Sequence, residues 1–248
     1  MKNILLLNKK EGDTPLSALE DFRNKNKAYK NVKMTYAGRL DPIASGLLLV
    51  LAGEETKNKE KYLVLDKEYE FKILFGFATD SFDILGKIVK TTKPNFTARE
   101  LEKSIKNNLK FFTGKFKQKY PIYSSKTVKG KQLFQYARCN EDVEIPEKEV
   151  FVKKLKFIKL RKISNKELLL NIGKRIKKIE GDFRQKEILK IWRKKLSLKN
   201  TSDFFIASFE IKCSSGTYVR GISNSLGEKL DIPALAFSIK RTKIGNWK

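Results

Sequence analysis

Residues Lys67 to Phe75 alternate between apolar and polar side chains, a pattern that an extended strand sorts onto two faces. Tyr69, Phe71, Ile73 and Phe75 fall on one face. The same alternation returns at Ser202 to Cys213, and the apolar run Leu47 to Ala52 predicts a strand buried on both faces. A chain with these segments must form a β-sheet and bury the apolar faces of that sheet against other parts of the chain.

Helical signals lie between the predicted strands. Thr97 and Glu100 form a capping box, which predicts a helix starting at this point. Apolar residues recur at helical spacing from Val219 to Leu230, and Arg220 lies off that stripe. No internal repeat or low-complexity linker interrupts the chain, so we expect one α/β domain over residues 1–248.

The charge of the chain indicates its class of partner. Lys and Arg number 54 against 28 Asp and Glu, for a formal net charge of +26. Such an excess repels itself, and nucleic acid is the first candidate to balance it because neutralised phosphates release counterions. A Lys-rich composition without any particular partner is the alternative.

Two segments concentrate this charge. Residues 103–140 hold ten basic side chains, no acidic one and seven aromatics. Basic groups follow a phosphate backbone and aromatic rings stack on bases, so we expect an RNA-clamping segment here. The alternative is that most of these aromatics are core. Residues 153–199 are expected to form a Lys-rich insertion, with a helix around Gln185 to Leu196.

The absence of His excludes several chemistries at once. Ser-His-Asp triads, His general bases and His metal sites all need this residue. Cys139 and Cys213 stand alone, without close-spaced ligand patterns, so we expect no metal site and no disulfide framework. Any catalysis must rest on carboxylates, hydroxyls, Lys, Arg or Tyr.

Apolar runs in the chain are short. Leu47 to Ala52 is the longest and could not span a membrane, and Ile4 to Leu7 is too short for the core of a signal peptide. We expect a soluble, cytoplasmic protein.

Asp41 is the leading candidate for a catalytic residue. It lies in a turn-rich stretch just before the buried strand at Leu47, and the next residue, Pro42, has a fixed backbone φ angle. A carboxylate held there would be presented rigidly at the end of a sheet. From this stretch alone, an ordinary Asp-Pro turn is the favoured alternative.

The stretch from Tyr36 to Leu48 resembles the catalytic motif GHTGxLDPxATGxL of the TruB family of tRNA pseudouridine synthases. Further segments resemble other TruB motifs in the same order; these are Leu5 to Lys9, Lys67 to Asp83, Tyr123 to Arg138, and Cys213 to Arg220. Five ordered elements are far more specific than one short motif.

The resemblance implies a pseudouridine synthase fold, with a mixed, mostly antiparallel central sheet flanked by helices. It implies isomerisation of a uridine in the tRNA T-loop, position 55, to pseudouridine after base flipping. The reaction is redox-neutral, so no cofactor is expected. The implied partner is the T-arm stem-loop of tRNA, and we expect a monomer without an obligatory protein partner.

The resemblance also assigns roles to individual residues. Asp41 would be the nucleophile that lets the uracil detach from its ribose and rejoin through carbon. Arg220 would pair with Asp41, holding it charged and oriented. Tyr69 would stack on the target base and help the proton leave its carbon. Tyr218 and Leu235 would line the pocket.

Four further residues are expected to contact the substrate, and some depart from the family pattern. Tyr36 stands where the family has the His of GHTG, and Arg39 stands where a small residue is usual. Lys126 falls one place before the family Lys, and Tyr123 opens the same motif. Many relatives continue after the region matching 240–243 into a PUA RNA-binding domain. We expect no PUA domain here and RNA affinity from the Lys-rich segment instead.

Two alternatives remain at this point. The sequence Arg39-Leu40-Asp41 followed by Ser45 to Leu48 resembles the RluA-like synthases, which would imply a ribosomal RNA substrate. A non-catalytic RNA-binding or chaperone protein on the same fold would explain the charge equally well. In that case Asp41, Tyr69 and Arg220 would have no purpose together.

Overall fold

The computed structural model describes residues 2–93, 95–196 and 203–248. Two predicted segments extend past these ranges: residues 197–199 of the Lys-rich segment, and Ser202 at the start of a predicted strand, lie outside the described residues.

The described ranges contain the following strands: β1 (Ile4–Lys9), β2 (Met34–Ala37), β3 (Ala44–Ala52), β4 (Lys67–Phe75), β5 (Phe77–Thr79), β6 (Ile88–Thr91), β7 (Gly114–Lys119), β8 (Thr127–Val128), β9 (Lys131–Gln132), β10 (Glu147–Ser164), β11 (Asp203–Cys213) and β12 (Ala234–Ile244). They contain the following α-helices: α1 (Pro15–Lys25), α2 (Lys59–Leu63), α3 (Ala98–Asn108), α4 (Leu133–Cys139), α5 (Asn165–Ile176), α6 (Gln185–Lys195) and α7 (Val219–Lys229).

One mixed sheet organises the described residues. Its strand order is β1-β3-β12-β4-β11-β10-β7, and β2 pairs with the end of β3. Within this sheet every pairing is antiparallel except that of β12 with β3. The expected mixed, mostly antiparallel central sheet is therefore confirmed, and the alternating segments predicted as strands are β4 and β11 at its centre.

The two faces of the sheet carry separate cores. Phe71, Ile73 and Phe209 on one face pack beneath α3 and α7. Leu74, the residue after Ile73, and Ile206 on β11 point to the opposite face and pack beneath α5 and α6. Strand alternation thus explains why β4 and β11, although predicted as half-buried strands, are covered on both sides over much of their length.

The Lys-rich segment divides into two structural parts. Residues 153–164 belong to β10, which pairs along its length with β11, so they are part of the sheet rather than an insertion. Its apolar residues alternate with lysines, which is why it forms a strand. Ser164 pairs with Asp203, and between these two positions the chain builds α5 and α6. The excursion from the sheet therefore begins at Asn165. No helix in the described ranges is long and apolar enough to cross a membrane.

Candidate active site

The loop that carries Asp41 lies between β2 and β3 and is closed by backbone hydrogen bonds. The Ala44 amide donates to the Asp41 carbonyl oxygen at 2.9 Å, and the Gly12 amide donates to the Pro42 carbonyl oxygen at 2.9 Å. Gly12 has φ +109°, a conformation that L side chains rarely adopt. These two hydrogen bonds therefore stabilise the conformation of the loop that carries Asp41.

Arg241, on β12, holds the start of the same loop. Its side chain is 1% exposed and donates to three backbone carbonyl oxygens, those of Leu47 at 2.7 Å, Arg39 at 3.3 Å and Gly38 at 3.2 Å. Charged donors make stronger hydrogen bonds than neutral ones, so this contact ties the Asp41 loop to the central sheet. Arg241 lies outside the sequence motifs that predicted the site.

A buried side chain from β7 positions the helix that carries Arg220. The Gln118 Oε1 accepts from the Tyr218 amide at 2.8 Å, and its Nε2 donates to the Tyr218 carbonyl oxygen at 2.9 Å. Tyr218 directly precedes α7. The backbone amides in the first turn of a helix lack hydrogen-bond partners within the helix. Val219 and Ile222 face the core, which turns Arg220 toward the Asp41 loop.

Arg220 and Asp41 form the ion pair that the sequence predicted. The Arg220 Nε donates to Asp41 Oδ2 at 2.6 Å, and Nη2 donates to Oδ1 at 3.2 Å. The Arg220 side chain is 3% exposed, whereas that of Asp41 is 36% exposed. Burial alone would lower the pKa of the guanidinium, but the Asp41 and Asp83 carboxylates raise it on balance. A buried permanent cation thus orients a carboxylate that solvent can reach.

Asp83 is a second carboxylate at this cation, and the sequence analysis gave it no role. Its Oδ2 lies 3.7 Å from the Arg220 Nε, and its Oδ1 accepts from the Ser81 hydroxyl at 2.7 Å. Burial raises the pKa of the Asp83 carboxyl from 3.8 to about 6, against the opposing effect of Arg220. Phe82 adopts φ +65°, and the Ser81 carbonyl oxygen accepts from Arg220 Nη1 at 2.6 Å.

A cavity of about 820 Å³ opens over the ion pair. Asp41 and Arg220 lie in its wall together with Tyr69, whose neighbours across the sheet are Ile211 and Arg241. Burial raises the pKa of the Tyr69 hydroxyl, so this phenol stays protonated at neutral pH. The structure therefore brings all three predicted catalytic residues into one cavity.

Most of the predicted substrate contacts also line this cavity, namely Tyr36, Arg39, Tyr123, Lys126 and Tyr218. The Arg39 guanidinium donates to the Ser125 hydroxyl at 2.8 Å, which joins the Asp41 loop to the segment that follows β7. The Tyr123 carbonyl oxygen accepts from Arg220 Nη2 at 3.2 Å. The Lys126 ammonium lies 5.5 Å from the centre of the Tyr120 ring.

Leu235 is the exception, and its predicted place in the pocket is wrong. It is fully buried, pairs with Leu74 in the sheet and packs in the core beneath α5 and α6. The register of β12 shifts between Ala236 and Ser238, and Ile239 lines the cavity instead. Strand alternation and this bulge decide which β12 side chain faces the site, and neither follows from a short motif.

The basic segment 103–140 contributes to the cavity only in its second half. Residues 103–112 lie in α3 and the turn after it, and Phe112 and Phe116 pack in the core under α3. The lining side chains of this segment come from positions 120–138, among them Phe134 and Arg138.

The loop between α5 and α6 reaches the same cavity, which the sequence analysis did not predict. Phe183 and Arg184 line it. The Arg184 guanidinium donates to both carboxylate oxygens of Asp80, at 2.7 and 3.3 Å, and lies 4.3 Å from the centre of the Tyr123 ring. The Glu180 amide donates to the Gly12 carbonyl oxygen at 3.2 Å, so this loop also contacts the residue that supports the Asp41 loop.

Comparison with known proteins gives a consistent family. Residues 25–178 match the model of the TruB family pseudouridylate synthase N-terminal domain. The chain is 34% identical over 222 residues to tRNA pseudouridine synthase B of Caldanaerobacter subterraneus subsp. tengcongensis, covering 89% of this chain and 62% of that relative. It is 30% identical over 224 residues to the enzyme of the same name from Malacoplasma penetrans, covering 90% of this chain and 77% of the relative.

Solved structures share the fold at lower identity. The crystal structure of a Cbf5-Nop10-Gar1 complex contains a chain that matches 99% of this one with a TM-score of 0.57 and 18% identity. An H/ACA RNP bound to a substrate RNA containing 2'-deoxyuridine gives a TM-score of 0.55 and 16% identity over 99% of this chain. The chain spans about half the length of these two solved chains, 49% and 48%.

Proposed function

Because the chain belongs to the TruB family of pseudouridylate synthases, we propose that it isomerises a uridine of tRNA to pseudouridine. The observation that supports this most directly is the solvent-accessible Asp41 carboxylate, held by two hydrogen bonds from the buried Arg220. The relatives are named tRNA pseudouridine synthase B, which favours tRNA over ribosomal RNA as substrate.

The isomerisation needs a group that assists both the cleavage and the re-formation of the bond between ribose and uracil. The N1–C1′ bond of uridine breaks and a C5–C1′ bond forms, while C5 loses a proton and N1 gains one, so atoms and electrons balance without a redox partner. Asp41 supplies the nucleophile that stabilises the detached state. Arg220 orients the Asp41 carboxylate in the cavity wall, and the nearby carboxylates, which raise the pKa of the guanidinium, keep Arg220 itself charged.

The Tyr69 side chain is suited to interact with the uracil base rather than with the ribose. Its ring offers a stacking surface in the cavity, and its hydroxyl is protonated at neutral pH because burial raises its pKa. A neutral phenol can relay a proton by accepting one as it gives up its own. Replacing Tyr69 with Phe keeps the ring and removes the relay, and we expect the rate to fall about 100-fold or more.

A cavity of about 820 Å³ with Asp41 in its wall can hold a nucleotide that has flipped out of its stack. Arg39, Tyr123 and Lys126 stand at the cavity wall and suit the RNA strand on either side of that nucleotide. We propose the T-arm stem-loop, with the uridine at position 55, as the specific target.

The test uses unmodified tRNA transcript with the wild type, Asp41→Asn, and the control Asp231→Asn, whose side chain is 98% exposed. Pseudouridine is mapped by carbodiimide treatment and primer extension. We expect one product site in the T-loop with the wild type and with the control, and none with Asp41→Asn.

Each other result rejects a defined part of the proposal. Absence of product from the wild type rejects the catalytic function and favours a binding protein. Product from Asp41→Asn rejects the nucleophile, and product at another tRNA site, or only in ribosomal RNA fragments, rejects the T-loop assignment. Thermal unfolding of each variant verifies that lost activity does not reflect lost folding.

A further inference from the structure

The unit formed by α5, α6 and the loop between them presents a basic outer face. Between residues 174 and 195 its exposed cations are Lys174, Lys177, Lys178, Lys186, Lys190, Arg193, Lys194 and Lys195. None of the eight belongs to an ion pair between described residues, whereas Arg175 and Arg184 in the same unit do. The exposed acidic residues of this stretch are Glu180, Asp182 and Glu187, and Glu187 pairs with Lys87. We call these eight cations the α5–α6 basic face.

The opposite side of the unit is fixed to the sheet. Ile172, Ile188 and Trp192 are fully buried in the core, and the Trp192 Nε1 donates to the Ile84 carbonyl oxygen at 3.2 Å. The apolar stripe of α6 therefore lies inward, and its lysines can only face solvent. A fixed array of charges loses little conformational freedom when it binds a partner.

The α5–α6 basic face is continuous with the cavity. Arg184 lines the cavity, and Lys186 follows two residues later on the first turn of α6. Lys186, Lys190 and Lys194 recur every four residues, so they form one stripe that leads away from the cavity over about 12 Å. An RNA that places one nucleotide over Asp41 extends beyond the cavity on either side of that nucleotide. The lysine stripe offers unpaired cations to the phosphates of this flanking RNA.

We propose that the α5–α6 basic face binds the phosphate backbone of the substrate RNA outside the target stem-loop, and this rests on the proposed function. A membrane surface is disfavoured because a helix that lies on lipid exposes a broad apolar face, whereas the large exposed hydrophobic side chain in the described part of this unit is Leu170. RNA needs no such face, since phosphates are neutralised by the lysines themselves.

The test replaces Lys186, Lys190 and Lys194 together with Gln, which removes three charges and preserves helix propensity. A matched control replaces Lys25, Lys27 and Lys30, three exposed lysines at the end of α1 and in the turn after it that form no ion pair between described residues. Binding of each protein is measured from low to moderate salt, about 50 to 200 mM, with full-length tRNA and with the isolated target stem-loop. Pseudouridine formation at saturating RNA is measured in parallel.

We expect the α6 variant to bind full-length tRNA with a salt slope shallower by about 2 to 3, as expected for three lost phosphate contacts. Its affinity for the stem-loop, its kcat and its Tm should match those of the control variant. An unchanged slope with tRNA overturns the proposal, and so does an equal loss of affinity for the stem-loop.

The two proposals fail separately. If the wild type binds tRNA but makes no pseudouridine, the catalytic function is rejected, and the salt slopes still decide whether the α5–α6 basic face contacts RNA. If the wild type makes pseudouridine and both triple variants show the same slope, the catalytic function stands and the RNA-binding face is rejected.

Discussion

Replacing Asp83 with Asn should change how the stability of the protein depends on pH. Asp83 is 4% exposed, and burial raises its pKa from 3.8 to about 6 although Arg220 lies 3.7 Å away. Arg220 already pairs with Asp41, so Asp83 shares its cation with a second carboxylate. The folded protein therefore holds the Asp83 proton more tightly than the unfolded chain does.

The sign of the effect follows from that difference. An acid with a raised folded-state pKa binds more protons in the folded state, so stability falls as pH rises through the window from 3.8 to about 6. With these two pKa values, deprotonation of Asp83 between pH 5 and pH 8 lowers the unfolding free energy by about 1.4 kcal/mol. The amide of the variant has no proton to lose, so this loss should disappear when Asp83 is replaced.

The assay is urea unfolding of the wild type and Asp83→Asn at pH 5, 6, 7 and 8. The free energy difference between the two proteins should shift by about 1.4 kcal/mol in favour of the variant from the lowest to the highest pH. Asp231→Asn provides the control, since it removes a carboxylate that is 98% exposed. Parallel stability curves for the wild type and Asp83→Asn would refute the reasoning.

Three other substitutions test the support of the site. Gly12→Ala places a Cβ 2.5 Å from the Lys178 carbonyl oxygen at φ +109°; we expect a loss of about 1–3 kcal/mol by urea unfolding together with a lower kcat. Leu235→Ala should lower stability by about 2–5 kcal/mol in the same assay and leave the KM for tRNA within twofold, because this side chain lies in the core. Arg241→Lys should cost about 2 kcal/mol and reduce kcat, since a lysine cannot reproduce the forked contacts with the Leu47, Arg39 and Gly38 carbonyls.

Local patterns predicted the elements well where one physical signal determined them. The capping box at Thr97 is present, with Thr97 and Glu100 accepting each other's backbone amides, and α3 follows it. The predicted helix at Gln185 to Leu196 matches α6 to within one residue. Alternation predicted β4 and β11, because burial on a sheet has the period of two that the sequence shows.

Features that depend on distant contacts escaped prediction. Asp83 becomes a partner of Arg220 only because the turn at Phe82 directs it there, and the two residues lie far apart in the sequence. The start of the Lys-rich segment 153–199 reads as a strand, but its pairing with β11, which makes residues 153–164 part of the central sheet, depends on a distant partner. Leu235 was assigned to the pocket from the family resemblance, and the bulge after which Ile239 faces the cavity instead has no sequence signature.

The position of β12 in the sheet has a consequence for synthesis on the ribosome. β12 lies between β3 and β4, although about 180 residues separate the end of β3 from its start. At a synthesis rate of about 5–20 residues per second, the facing edges of β3 and β4 stay unpaired for roughly 10 to 35 seconds before β12 is made. Since Arg241 on β12 also holds the Asp41 loop, the nascent chain cannot form these contacts with the loop until this strand leaves the exit tunnel. During that interval, two strand edges of the growing chain expose unpaired backbone groups that can pair with other chains.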